Sequence, residues 1–306
     1  MNHGCPNSQC KVSYQLLFQV KDGHFFRRDD SRYIQRFKCK ICGTKYSKAT
    51  FTLEKNQKKR RINQQVRANL SSGMSMRACA YNLKVARKTI ERKLVYLAKK
   101  ARMNQQKFLE IVRENPLEKI QFDDLISSVH TKLKPISVSV VVDPKTYLIL
   151  GARCAEIPAF GHLAAISRKK YGRRKNLHPK ILSELLFDLK EVISPFAEIR
   201  TDEHKRYPEI IKKIFPHSTH DFYKGMRASV VGMGELKTKG YDPLFAINHT
   251  LACFRYGIDR FIRKTWCTSK KIENAQMHID IYIDYHNEKK LWKRFKSKKL
   301  KKLVIH

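Results

Sequence analysis

Apolar positions along this chain change their spacing several times, and each change predicts a change of element. Up to about residue 56 they are sparse and mostly aromatic, set among basic residues between two cysteine pairs, which predicts short strands with a weak core of their own. Between Ile62 and Leu94 the spacing is helical. Val66, Leu70, Met76, Ala80, Leu83, Val85, Ile90 and Leu94 supply a small core for three helices. Ser71-Ser72-Gly73 ends the first, Ser75 caps the second, and a short turn at Asn82 to Val85 sets the third across it. From Leu117 the pattern alternates. Strands are predicted over Ile120 to Ile126, Ile136 to Val142 and, across the Asp143-Pro144 turn, Tyr147 to Ala152, making a three-stranded meander. A helix follows over about His178 to Ile193, then a short strand, Phe196 to Arg200, that runs into Thr201-Asp202-Glu203. Helical spacing returns with Ile247, Leu251, Phe254, Ile258, Phe261 and Ile262.

Charge narrows the partner. The 306 residues include 64 Lys and Arg against 27 Asp and Glu, a net charge of +37. Such an excess predicts a polyanion, because each cation set against a phosphate releases counterions. A membrane is the less suitable polyanion: no apolar run approaches the roughly 18 residues of a spanning helix, and the N-terminus lacks an apolar signal segment. The expectation is therefore a soluble, cytoplasmic protein of about two domains.

The eight cysteines fall into two groups. Cys79, Cys154, Cys253 and Cys267 are scattered through helical or strand-like contexts and read as buried thiols. Cys5-Pro6-Asn7-Ser8-Gln9-Cys10 and Cys39-Lys40-Ile41-Cys42-Gly43 put two pairs on tight turns, a spacing that lets Cys5, Cys10, Cys39 and Cys42 surround one zinc ion. Four thiolates leave no open coordination position, so this zinc is structural. In the helical segment, Arg87, Lys88, Thr89 and Arg92 open the third helix, where a helix-turn-helix presents its side chains to the major groove of DNA.

A chain poor in acids nevertheless places them after apolar strands. Asp123 and Asp124 follow Ile120-Gln121-Phe122, and Asp202 follows the strand at Phe196. Taken alone, such aspartates are often turn formers or helix caps. If the strands are neighbours, the carboxylates repel unless divalent cations neutralise them, and oxygen ligands select Mg2+ or Mn2+. On the last helical stripe, Asn248, Arg255, Asp259 and Arg263 occupy the side away from the core. Cations and an aromatic then interleave from Arg263 to Lys271, as on nucleic-acid surfaces. The run from Lys289 to Lys302 is basic.

The order of these parts resembles the insertion-sequence-one family of bacterial transposases, with the two reading frames of that element joined. The likeness is carried by Gln35 to Cys42, by Met76-Arg77-Ala78-Cys79-Ala80 through Thr89-Ile90, and by Arg255 to Thr265 with Ser269-Lys270. It implies a multidomain α+β protein: a zinc ribbon (1–56), a helix-turn-helix (57–104), an α/β ribonuclease H-like catalytic domain (117–287) and a basic tail (288–306). It implies cleavage and strand transfer of double-stranded DNA at terminal inverted repeats and at a target, by a homo-oligomer in the bacterial nucleoid. Asp123 and Asp202 correspond to the first two members of an acidic triad that binds two Mg2+ or Mn2+ ions. Asn248 stands where the family has glutamate, and His249, Glu235 and Asp221 are the other residues able to complete the site. Arg255, Arg260, Arg263 and Lys264 are the implied DNA contacts of the last block. A catalytically inactive, transposase-derived DNA-binding regulator is the alternative.

Overall fold

The computed structural model describes residues 4–224, 242–263 and 266–295, without the side chains of 292–295. The chain divides into two units, Met1–Val66 and Arg67–His306. Among the described residues it is a mixed α+β protein with two sheets and eight α-helices.

In the first unit, β1 (Gln19–Arg27), β2 (Arg32–Cys39) and β3 (Lys45–Tyr46) form an antiparallel sheet in that order. Its buried core is little more than Cys5, Cys10 and Cys39 with Val12 beside them. Phe37 stacks on Tyr46 and Phe51 meets Tyr46 edge-on. The Asp29 carboxylate accepts from Arg60 N at 3.0 Å and Arg60 Nη1 at 3.1 Å, tying the β1–β2 turn to the following segment. So little apolar burial does not hold a unit of this size together without a further link.

The second unit contains the helices expected between Ile62 and Leu94. These are α1 (Asn63–Leu70), across which the division between units falls, α2 (Met76–Asn82) and α3 (Arg87–Arg113). Ser75 caps α2 through Oγ, which accepts from Ala78 N at 3.1 Å. The third helix is far longer than a helix-turn-helix needs, because its stripe of Ile90, Leu94, Leu97, Ala98 and Ala101 is buried. Just past its midpoint it meets α8 (Ile272–Phe295): Arg102 Nε lies 2.6 Å from Asp280 Oδ2, and Asn104 donates to Asp284. Gln105 bonds to the Ile149 and Leu150 carbonyls. From α1, Arg67 pairs with Asp284 and Glu288 of the same helix.

The central sheet has five strands, β4 (Leu117–Ser128), β5 (Pro135–Val142), β6 (Ile149–Glu156), β7 (Ile193–Asp202) and β8 (Thr219–Tyr223), in the order β6-β5-β4-β7-β8. The expected meander is the antiparallel β4-β5-β6 half; β7 and β8 continue from β4 in parallel. Every residue of β5 is buried, as a strand covered on both faces requires. One face packs Leu125, Val138 and Val140 against Ile247 and Phe254 of α7 (Phe245–Gly257) and Ile279 of α8. The other packs Ile120, Phe122 and Ile199 against Leu182 and Leu186 of α5 (His178–Asp188) and Ile210 of α6 (Tyr207–Ile214). A shorter helix, α4 (Leu163–Tyr171), precedes α5.

Several boundaries differ from the expected ones. β6 starts at Ile149 rather than Tyr147, because Asp143 accepts from Lys145 N and bonds Thr146, holding a turn in which Tyr147 has φ +61°. The helix expected to reach Ile193 ends at Asp188, and β7 begins at Ile193 with Pro195 inside it. Proline lacks a ladder donor, and the β4–β7 pairing slips between Leu117 and Lys119 where Pro195 passes. Helix α7 stops at Gly257, and α8 runs on to Phe295, past the expected start of the tail.

Gly257 is where α7 meets α8 and the α1–α2 turn. Gly73, at φ +75°, donates to Gly257 O at 2.8 Å, and a Cβ on Gly257 would sit 2.2 Å from Tyr282 Cε2 and 3.0 Å from Ser71 O. Gly257→Ala is therefore expected to destabilise the protein by about 1–3 kcal/mol through overpacking, read as a lower urea midpoint; an unchanged midpoint would show that this contact yields freely.

Candidate active site and metal centre

The two cysteine pairs converge. Cys5, Cys10 and Cys39 are buried and Cys42 is exposed, and the four Sγ atoms all lie within 4.8 Å of one another. Cys5 and Cys42 are 3.4 Å apart and Cys10 and Cys39 3.9 Å. A tetrahedron with Zn–S bonds of about 2.3 Å has edges of about 3.8 Å, so the cluster fits a structural zinc ion. Local turns aim the thiols: Cys10 N donates to Asn7 O, and Gly43 N to Cys39 O with Gly43 at φ +72°, a conformation that favours glycine. Burial pushes the Cys5 thiol up to about 12. Hydrogen bonds from Thr44 hold Cys42 down at about 6. A metal binding here displaces protons, so its affinity falls in acid.

Asp123 and Asp202 meet at the edge of the parallel half-sheet. The last β4–β7 pair is Gln121 with Arg200, and each aspartate stands two residues beyond it on its own strand. Parallel strands lie about 4.8 Å apart. Past this pair β4 stays with β5 and β7 stays with β8, so the two strands part and open a cleft of about 350 Å³. The crevice beyond the carboxyl ends of parallel strands, where strand order switches direction, is the general ligand site of open α/β sheets.

The cleft is lined by Asp123, Asp124, Asn176, His178, Asp202 and His204, among others. Burial, with repulsion from Asp202, pushes the half-buried Asp123 carboxyl up to about 7. Burial likewise raises Asp202, with repulsion from Asp124 and Glu203 adding to it. Asp124 is the contrasting neighbour. It faces α5 and α6, where Tyr207 OH donates at 2.6 Å and His178 Nε2 lies 2.6 Å away, and Ser139 Oγ of the neighbouring β5 donates at 2.5 Å. Burial opposes its charge, but these partners outweigh burial and hold it below the usual carboxylate range. Asp124 is therefore committed within the fold.

The other predicted residues are distributed as follows. Asn248 is exposed on the first turns of α7 and donates to Asp242 Oδ2 at 3.1 Å; it is not among the residues lining the aspartate cleft. His249 packs against the Tyr147 and Phe245 rings. Asp221 is exposed on β8 opposite Arg200. Glu235 and Lys264 lie outside the described residues. Arg255, Arg260 and Arg263 line a second cleft, of about 500 Å³. Arg87, Lys88 and Arg92 are exposed at the start of α3, Arg87 paired with Glu91, and Thr89 is half-buried. His178, His204 and Asn176 were missed from sequence, although His204 follows Asp202 by two residues.

Two outcomes are expected. The purified protein should carry one equivalent of zinc by atomic absorption; Cys39→Ser should lose it and open the first unit to protease while far-UV helicity persists, and full zinc in that variant would remove the cluster as the ligand set. The second concerns pH. A carboxyl raised in the folded state contributes stability below its ordinary pKa near 4, and loses it as pH rises through about 7. In chelator, Asp123→Asn should therefore be more stable than wild type at pH 8 by roughly 2–4 kcal/mol, one pKa unit being about 1.4 kcal/mol. The gap should close by pH 4; equal stability at both pH values would deny the shift.

No protein-family model matches this chain, and no curated protein matches it with significance.

Proposed function

We propose that the chain is a metal-dependent DNA transposase of the insertion-sequence-one kind, which binds the terminal inverted repeats of its element and cleaves and joins DNA strands. The observation that carries this reading is the matched placement of Asp123 and Asp202 two residues past the last parallel pair, at the mouth of one cleft. Support also comes from the strand order, an antiparallel meander extended by two parallel strands with helices on both faces, as a ribonuclease H-like domain needs. The zinc-type cluster is a zinc ribbon on this reading, and α2 and α3 the helix-turn-helix.

Asp123 and Asp202 fit divalent cations because each carboxyl is raised by burial and by neighbouring negative charge, which a bound cation would relieve. Bound there, Mg2+ or Mn2+ would activate the attacking oxygen and stabilise the leaving oxygen of a phosphodiester. The chain's own residues do the rest. Asp124 N donates to Asp123 Oδ1 at 2.6 Å and fixes that carboxylate's rotamer. His204 N donates to Asp202 Oδ1 at 3.2 Å. Arg255, Arg260 and Arg263 supply positive charge for the DNA backbone, and Arg87, Lys88 and Arg92 present the recognition end of α3.

A second reading has one observation in its favour: Asn248 brings no charge and its amide is engaged with Asp242. A catalytically inactive DNA-binding regulator would look the same there. Incubation with element ends and Mg2+ or Mn2+ separates the two. Wild type should cut at the ends, and Asp123→Ala or Asp202→Ala should reduce cutting by at least about a hundredfold while binding of the ends is kept. Tight, end-specific binding without cleavage would decide for the regulator.

A further inference from the structure

The second cleft sets the three arginines assigned to the DNA backbone beside two exposed aromatic rings that the proposed chemistry does not use. Its walls include the β4–β5 turn, Phe160, Arg255, residues 260–263, Trp266 and Thr268. Arg255, Arg260, Arg263 and Lys132 line it, and no acidic side chain does. Trp266 is 100% exposed and Phe160 64% exposed, two large rings presented to solvent beside these cations. The cleft adjoins the aspartate cleft: Ile126 and Phe160 line both. Its walls are fixed by hydrogen bonds. His130 N donates to Ser269 O at 2.7 Å, Arg260 Nη1 to Cys267 O at 2.8 Å, and Arg255 Nη2 to Ile126 O at 3.4 Å.

Bare aromatic faces among guanidinium groups suit a ligand that is flat, apolar on its faces and attached to negative charge. A nucleotide has all three properties, a cleft of about 500 Å³ has room for one base, and only a base out of the duplex stack offers its face to such rings. We propose that this cleft binds an unpaired nucleotide of the DNA strand whose neighbouring phosphate lies at Asp123 and Asp202. The base stacks on Trp266 and Phe160, and Arg263 and Lys132 take the adjoining phosphates. This assignment rests on the transposase reading and names the local form of its substrate: a strand melted at the cut, with one base withdrawn from the helix.

The test uses the full-length chain with Trp292→Phe, which leaves Trp266 as its single tryptophan. A short oligothymidylate should quench Trp266 fluorescence, and an abasic oligonucleotide of equal length should not. In fluorescence anisotropy Trp266→Ala should bind the oligothymidylate about tenfold more weakly, and Trp266→Phe should recover part of the loss. Equal quenching by the abasic strand, or unchanged binding by Trp266→Ala, would overturn the nucleotide site. Failure of wild type to cut element ends while Trp266 is still quenched by the base-bearing strand would count against the transposase reading and leave the nucleotide site standing; cutting without quenching would do the reverse.

Discussion

The buried side chain of Gln121 holds the second unit's chemistry in place. Its backbone makes the last parallel pair with Arg200 and also pairs with Val142 of β5. Its amide donates to Pro243 O at 2.7 Å and accepts from Ile247 N at 3.1 Å, fixing the start of α7 against the sheet. One residue thus sets the level at which β4 and β7 part and the height at which α7 begins. A buried amide with both its donor and acceptor engaged is costly to displace. The aspartate cleft, the α7 packing face and the position of Arg255 near the other end of that helix all follow from this point.

Charge is arranged against the average. A chain with a net charge of +37 could set a lysine or arginine beside every carboxylate. It does so along α8, where Asp280, Asp284 and Glu288 pair with Arg102 and Arg67 and bind the helical layer together. Asp123 and Asp202 are left to burial and to repulsion from neighbouring carboxylates instead, and Asp124 is satisfied by a histidine, a tyrosine and a serine. The same residue type is structural at 124 and raised at 123 because alternation turns consecutive side chains of β4 to opposite faces.

Legibility in the sequence followed the range of the interaction. The zinc-type cluster was readable because two short turns each carry a pair of ligands, and the meander because β4, β5 and β6 are consecutive. Asp123 and Asp202 stood out as acids after apolar runs. That they share a level depends on a β4–β7 register with a slip at Pro195, which no local pattern reveals. The lining by His178 and His204 was hidden for the same reason, since α5 and the segment after β7 meet β4 only in three dimensions. The length of α3 was misjudged because its second half is held by distant partners: Arg102 and Asn104 bond to α8, and Phe108, Leu109 and Val112 pack on the core beneath α5.

Helix α3 joins two regions as one rigid element. Its first two turns carry Arg87, Lys88 and Arg92 into solvent, and its later turns are fastened to α8 and to the Ile149 and Leu150 carbonyls. At about 1.5 Å per residue its 27 residues span about 40 Å. Such a rod conserves phase as well as distance. A single inserted residue between residues 92 and 102 would lengthen it by about 1.5 Å and rotate the first-turn side chains by about 100° about the axis. The direction in which those cations point is thus indexed to the sheet in steps of whole residues, and no gradual change of sequence length can adjust it.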